Sequence, residues 1–188
     1  MNKDIINSAK KQATLRPASL LTIVDVETGG EGFDPATGKP IIRFEKTWFR
    51  KYQPEADPNG KWNNTKVGTQ PGAWIAFNDA FAINPRAAMM ATSIGVGQIM
   101  GFNYALLGYK TVDDMWNDAK KDLDMQLNQM IRFITANRRL KTAVDNLDWT
   151  TVATIYNGAG FRELAKKLKR TPYDISLRQA YMKYEKLL

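Results

Sequence analysis

Proton chemistry in this chain falls to carboxylates. Its 188 residues include no His and no Cys. That removes the imidazole base, the Ser-His-Asp arrangement, thiolate chemistry and most zinc sites. The carboxylate that stands out is Glu27, in Val26-Glu27-Thr28-Gly29-Gly30. It follows an apolar run from Leu20 and precedes two glycines that release the chain. Burial against such neighbours disfavours the anion, which is what a general acid needs near neutral pH. The competing reading is an exposed residue at a helix end. A second motif is Ser93-Ile94-Gly95-Val96-Gly97-Gln98-Ile99-Met100-Gly101. Its small residues let the backbone approach a neighbour, and the Gln98 amide can donate and accept hydrogen bonds to a polar ligand. A tightly packed glycine-rich junction without a ligand is the alternative. The third is Ile155-Tyr156-Asn157-Gly158-Ala159-Gly160. Tyr156 is placed to bring its hydroxyl to the acid, while Asn157 and the glycines equally suit a helix C-cap and turn.

Helices must position these residues. The strongest periodicity runs from Thr111 to Thr135, with apolar side chains at Val112, Met115, Trp116, Ala119, Leu123, Leu127, Met130, Ile131 and Ile134. The steps are three or four throughout, which predicts one long central core helix capped by Thr111. Further helices are expected at about 3–14, 17–27, 72–82, 94–100, 102–108, 149–156, 160–169 and 173–187. Residues 32–44 read as a small β-hairpin turned at Pro35 and Gly38, and 53–72 as a polar loop. The fold class is mainly α (α+β): a helical bundle around a long helix with one small hairpin beside the site. No repeat or linker divides the chain, so residues 1–188 are expected to form a single domain.

Composition bounds the partners. Hydrophobic residues make up 44%, including 8 Phe, 7 Tyr and 5 Trp, enough for a packed core. No apolar stretch approaches a membrane span, and stable membrane insertion is not expected. The net charge of +8 favours an anionic partner. Residues 162–170 concentrate five positive charges against Glu163. They read either as a solvated helix face or as a surface that attracts an anionic polymer. A nucleic-acid partner is motivated by charge alone and leaves the glycine-bounded acid without a purpose. The N-terminal Met1-Asn2-Lys3-Asp4 shows no signal-peptide pattern.

Together the three motifs resemble the lysozyme-like superfamily, in the pattern of goose-type lysozymes and soluble lytic transglycosylases. There, Glu-Ser/Thr-Gly is followed by Ser-x-Gly-x-x-Gln-hydrophobic-Met and then Tyr-Asn-x-Gly. The 66 positions between Glu27 and Ser93 exceed the spacing of the simple transglycosylases. With Gly38-Lys39-Pro40, Ile42-Arg43-Phe44-Glu45, Asp148-Trp149 and Leu177-Arg178-Gln179-Ala180-Tyr181, the chain resembles more closely the N-acetylmuramidase family of phage endolysins. The likeness spans roughly residues 15 to 184. It departs at Thr28 and Ile94, where relatives tend to carry Ser and Trp.

The resemblance implies cleavage of the β-1,4 bond between N-acetylmuramic acid and N-acetylglucosamine in bacterial peptidoglycan, with no metal or organic cofactor. Glu27 becomes the acid. Glu45, expected to face it across a cleft, becomes the second carboxylate that glycosidases generally use. Ser93, Gln98, Tyr156 and Asn157 become substrate-binding residues. Glu45 reads otherwise as an ion-pair partner of Arg43 or Lys46, and Asp34 is a weaker candidate for its role. A monomer is expected, held in the host cytoplasm until it is released to the wall. A transglycosylase forming anhydromuramoyl ends is the neighbouring reading, and a non-catalytic wall-binding or phage structural domain is the reading of another class.

Overall fold

The computed structural model describes residues 3–188. In chain order its elements are α1 (Lys3–Lys11), α2 (Pro17–Thr28), β1 (Ile42–Phe44), α3 (Lys46–Tyr52), α4 (Lys61–Asn64), α5 (Gln70–Ile83) and α6 (Pro85–Met90). Then follow β2 (Thr92–Ile94), β3 (Ile99–Met100), a 3₁₀ turn (Gly101–Asn103), α7 (Val112–Ala119) and α8 (Leu123–Ala136). The last are α9 (Arg138–Asp145), α10 (Trp149–Asn157), α11 (Phe161–Lys167) and α12 (Tyr173–Leu187). The chain is thus mostly helical with one small antiparallel sheet. Two compact units share these elements: residues up to Gly30 with Ile131–Leu188, and Glu31–Met130.

The first unit is built on α2. Pro17 opens the helix, where a missing N–H costs nothing. From Ala18 to Val24 every residue is buried, so the helix has no exposed stripe over nearly two turns. Leu20, Leu21, Ile23 and Val24 are fully enclosed, each worth roughly 1.5–3 kcal/mol of burial as an upper estimate. The main covering surface is α12, which buries Leu177, Ala180, Tyr181 and Tyr184; α1 adds Ile5 and Ala9. Gly29, at φ 65°, ends the helix in the left-handed region and returns its N–H to Asp25 O at 2.8 Å.

The second unit holds the sheet, in the order β1-β2-β3. Ile42 pairs with Ile94, Arg43 with Ser93 and Phe44 with Thr92, while Ser93 and Ile94 pair on the other side with Met100 and Ile99. Strands this short cannot satisfy their own edges, and glutamine amides complete them. Gln70 accepts from Ile42 N at 3.0 Å and donates to Ile42 O at 2.9 Å. Gln126, 2% exposed, accepts from Val96 N at 3.0 Å and donates to Gly32 O at 3.2 Å and Ala119 O at 2.8 Å. A Cβ at Gly32 would lie 2.3 Å from Gln126 Oε1 and one at Gly95 2.8 Å from Gln126 Cδ, so both positions demand glycine. Phe44, Phe49 and Trp62 form one aromatic cluster beside the sheet, and Phe77 stacks on Trp116 in another.

Several expected elements take another form. The stripe from Thr111 to Thr135 is two helices, interrupted at Lys120-Lys121-Asp122, where Asp122 caps the second by accepting from Met125 N at 2.8 Å. The apolar step from Ala119 to Leu123 is four residues, so periodicity alone does not register the break. Residues 94–100 are no helix. They are the end of β2, a turn with Gly95 at φ 76° and Gln98 at φ 46°, and β3. The 102–108 segment is the 3₁₀ turn followed by hydrogen-bonded turns that close at Gly108. Across 32–44 the hairpin is reduced to one antiparallel bridge between Phe33 and Pro40, with Asp34 N donating to Lys39 O at 2.8 Å and Ile41 N to Gly32 O at 3.0 Å, and strand Ile42–Phe44 beyond it pairs with β2. The loop 53–72 contains α4, whose Trp62 is 1% exposed and donates from Nε1 to Asp57 O.

Gln126 is a buried amide with three backbone partners, so replacing it by Leu removes the partner of Val96 N and of Ala119 O and leaves Gly32 O only its bond from Ile41 N at 3.0 Å. Gln126→Leu is expected to lower stability by about 3 kcal/mol, read as a reduced midpoint in denaturant unfolding. A midpoint unchanged from wild type would show that the loops satisfy these groups without it.

Candidate functional site

The enclosed turns of α2 give way, in the last turn, to half-buried Asp25, Val26, Glu27 and Thr28. Thr28 returns its hydroxyl to Val24 O at 3.2 Å, and Lys183 of α12 engages Asp25 at 3.2 Å. Glu27 is therefore carried rigidly on a core helix, one turn from full enclosure. The Tyr173 hydroxyl donates to Glu27 Oε1. Tyr156 also feels the charge of Glu27; its hydroxyl is buried with no hydrogen-bond partner, and its ring is set edge-on against Phe133 at 5.5 Å. Burial, and after it the negative charge of Glu27, pushes both phenols well above the usual tyrosine range. Both thus stay protonated at any pH near neutrality.

Tyr156 is delivered by α10, whose start is fixed by Asp148 accepting from Thr151 N at 3.1 Å and Thr151 Oγ1 at 2.6 Å. Asn157 is the last residue of that helix, with Gly158 at φ 87° as its C-cap, so the capping reading describes its backbone. Tyr173 lies outside the three motifs. It is 146 positions from Glu27, opens α12 immediately after Pro172, and carries no local pattern that spacing could reveal. Its neighbour Asp174, 6% exposed, anchors that end of α12. Asp174 accepts from Arg162 of α11 at 2.5 Å and from Thr150 of α10 at 3.3 Å, so three helices meet at one carboxylate.

The remaining expected site residues lie in the second unit. Glu45 follows β1 directly and is the N-cap residue of α3, half-buried, with Arg43 at 3.5 Å. Burial pushes its carboxyl above the ordinary range, and the Arg43 guanidinium partly offsets that. Ser93 is buried at the centre of β2 and donates to Gln98 Oε1 at 2.9 Å. Gln98 sits in the turn, not on a helix. Its Nε2 donates to Gly95 O at 2.9 Å and Ile41 O at 3.3 Å. The amide is thus engaged by its own turn and strand edge, and Ser93 and Gln98 form a brace between β2 and the turn beyond it. Asp34 is spent on its loop, accepting from Ala36 N at 2.8 Å and Thr37 N at 3.1 Å. Among the described residues no group of acidic side chains could hold a metal ion, and no helix is long and apolar enough to cross a membrane.

A family model described as N-acetylmuramidase matches residues 16–185 of the chain. Among solved structures, the crystal structure of Burkholderia AP3 phage endolysin is similar over 100% of this chain and 71% of that one. The two superpose with a TM-score of 0.77 at 26% sequence identity. No curated protein matches the chain.

The Asp174 carboxyl is drawn two ways. Burial raises its pKa, while the hydrogen bond and charge of Arg162, together with hydrogen bonds from Ile175 N and Thr150, outweigh that and hold it below the ordinary aspartate range. A depressed carboxyl contributes stability above its unfolded pKa and loses it as pH falls through the folded value. Arg162→Met strands a buried carboxylate and is expected to cost about 2 kcal/mol at pH 7. That is less than the roughly 3–5 kcal/mol of a fully buried pair, because the Arg162 side chain is 60% exposed. The deficit should shrink below about pH 4 as Asp174 takes a proton. Thermal unfolding of both proteins at the two pH values checks it; an equal deficit at both would assign the loss to packing.

Proposed function

Because the chain belongs to the N-acetylmuramidase family, we propose that Glu27 is the general acid for cleavage of the β-1,4 bond between N-acetylmuramic acid and N-acetylglucosamine in peptidoglycan. The observation that carries this is the placement of Glu27: a carboxyl half-buried at the end of a core helix, with one buried phenol donating to it and another beside it. Protonated Glu27 gives its proton to the leaving glycosidic oxygen as the carbon–oxygen bond breaks. Glu45 is the second carboxylate, taking a proton from the water that adds to the sugar carbon, so that one water is consumed per bond cut. Ser93, Gln98, Tyr156 and Asn157 shape the substrate surface, Gln98 through the turn it organises.

The biological role that fits is that of a phage endolysin, the description borne by the structurally similar Burkholderia AP3 protein. The protein would work as a monomer, made in the host cytoplasm and acting on the wall during lysis. Its charge suits that target. The unit bearing Glu27 holds sixteen Lys and Arg against eight Asp and Glu, whereas the other holds eleven of each, so the whole excess lies on one side of the division. Lys166, Lys167 and Lys169 are exposed on and just beyond α11. They attract an anionic wall from solution and take no part in the chemistry.

Glu27→Gln should fold normally and lose roughly 10²–10⁴-fold in activity, since an amide has no proton to give. The measurement is turbidity loss of permeabilised cells, and retention of more than about half the wild-type rate would exclude Glu27 as the acid. Glu45→Gln should be strongly impaired with Glu27 intact. Mass spectrometry of its residual products and of the wild type should find water incorporated at the muramoyl end. Anhydromuramoyl ends, with Glu45→Gln still active, would replace hydrolysis by the single-acid transglycosylase route. Lysis should also slow as salt rises, since the screening length is about 10 Å at 0.1 M. Replacing Lys166, Lys167 and Lys169 by Gln should flatten that dependence while cleavage of a short soluble glycan stays the same; an unaltered salt profile would leave the segment an ordinary solvated face.

A further inference from the structure

We propose that Tyr173 is a positioning residue for the acid: its hydroxyl holds Glu27 Oε1 and thereby directs the transferable proton to Oε2. The inference rests on Glu27 being the general acid, and it concerns a residue that lies in none of the three motifs. Three observations bear on it. The Tyr173 hydroxyl donates to Glu27 Oε1. The residue's backbone is fixed between Pro172, at φ −56°, and the buried Asp174, which Arg162 and Thr150 clamp. Burial and the charge of Glu27 keep the phenol protonated, so the donor persists through the working range.

Each fact removes a freedom that a carboxyl on a flexible side chain would otherwise have. A glutamic acid can present its proton from either oxygen and swing about its last torsion. When Oε1 is occupied as an acceptor, the carbonyl character sits there, and the O–H of the protonated acid lies on Oε2. The donor does not ride on a loop. It stands on the first turn of the helix that also makes the main covering surface of α2, so donor and acceptor are referenced to the same packed pair. Among the groups set against Glu27 from neighbouring helices are Tyr156 of α10 and Tyr173 of α12, and Lys183 of α12 engages Asp25, two residues before it, at 3.2 Å. Tyr156 has no hydrogen-bond partner for its hydroxyl, so the two phenols differ in kind: one encloses, the other grips.

The grip has a sign. A hydrogen bond donated to a carboxylate favours the charged form, and a general acid must be protonated, so activity falls as pH rises through its pKa. Removing the donor removes support from the anion and moves that basic limb upward. The experiment is the pH dependence of kcat and KM on a soluble glycan for wild type, Tyr173→Phe and Glu27→Gln. Thermal unfolding is followed in parallel.

Tyr173→Phe should unfold near the wild-type temperature and bind substrate with little change in KM. Its kcat should fall about ten- to a hundredfold, and its basic limb should move up by about one pH unit. A wild-type kcat and an unmoved limb, with Glu27→Gln inactive, would overturn the proposal and leave the acid assignment standing. An active Glu27→Gln would overturn both. If Tyr173→Phe fails to fold, 3-fluorotyrosine at position 173 keeps the hydroxyl and strengthens it as a donor, and the limb should then move down. A limb that stays in place with the fluorinated residue would equally sink the assignment.

Discussion

A general acid, the role proposed for Glu27, needs its proton held out of bulk water yet delivered in a fixed direction, and α2 suits both demands by being buried all round for the turns that precede that residue. Had the helix been amphipathic, its last turn would lie on a surface with one free side, and the carboxyl would be hydrated whenever the side chain rotated outward. Here the burial from Ala18 to Val24 leaves no outward side until Asp25. The end of the helix adds to this, because the C-terminal turn carries the negative end of the backbone dipole, which gives an anion no support. Gly29 stops the helix one residue after Thr28 by taking a left-handed conformation that most side chains resist.

The second unit solves a different problem with a repeated device. A sheet of three-residue and two-residue strands leaves most of its backbone groups facing irregular chain, where each unpaired buried group is costly. A glutamine amide carries one acceptor and two donors, close to the complement of a peptide unit. Gln70 fills both positions beside Ile42, Gln126 ties three separate segments, and Gln98 closes the turn it stands on. The price is close approach, and the glycines at positions 32, 95 and 97 permit it: a Cβ at Gly97 would lie 2.8 Å from Met130 Cβ. The glycine-rich second motif is therefore backbone-supporting architecture, and the same residues that let it resemble a family pattern build its turn.

What the sequence disclosed follows from how local each signal was. The helices at 17–27, 149–156 and 173–187 were legible because each is bounded by its own proline, aspartate or glycine and filled with apolar residues. The break at Lys120–Asp122 was not, since a four-residue step preserves the stripe across a kink. Neither was the sheet: Ile42–Phe44 alternates correctly, but its partner lies some fifty positions away, inside a run whose glycines and β-branched residues fit several conformations. Glu27 could be singled out from its helix and its glycines, and Tyr156 from the short motif that contains it. Tyr173 could not. Its only link to Glu27 is that α12 covers α2, a fact of packing that no spacing records.

The absence of histidine sharpens the meaning of any pH response. Between about pH 5 and 8 an ordinary protein titrates its imidazoles, and changes in rate there mix site chemistry with shifts of surface charge. This chain has none. Both site phenols are displaced upward, away from that window, by burial and by Glu27. Glu45 moves the other way relative to neutrality, since burial raises its carboxyl toward the window while Arg43 restrains it. A carboxyl raised by burial and restrained by one half-exposed ion pair also responds to salt, because screening weakens Arg43 more than it weakens desolvation. A limb of the pH profile set by Glu45 should therefore climb as salt rises and Arg43 is screened.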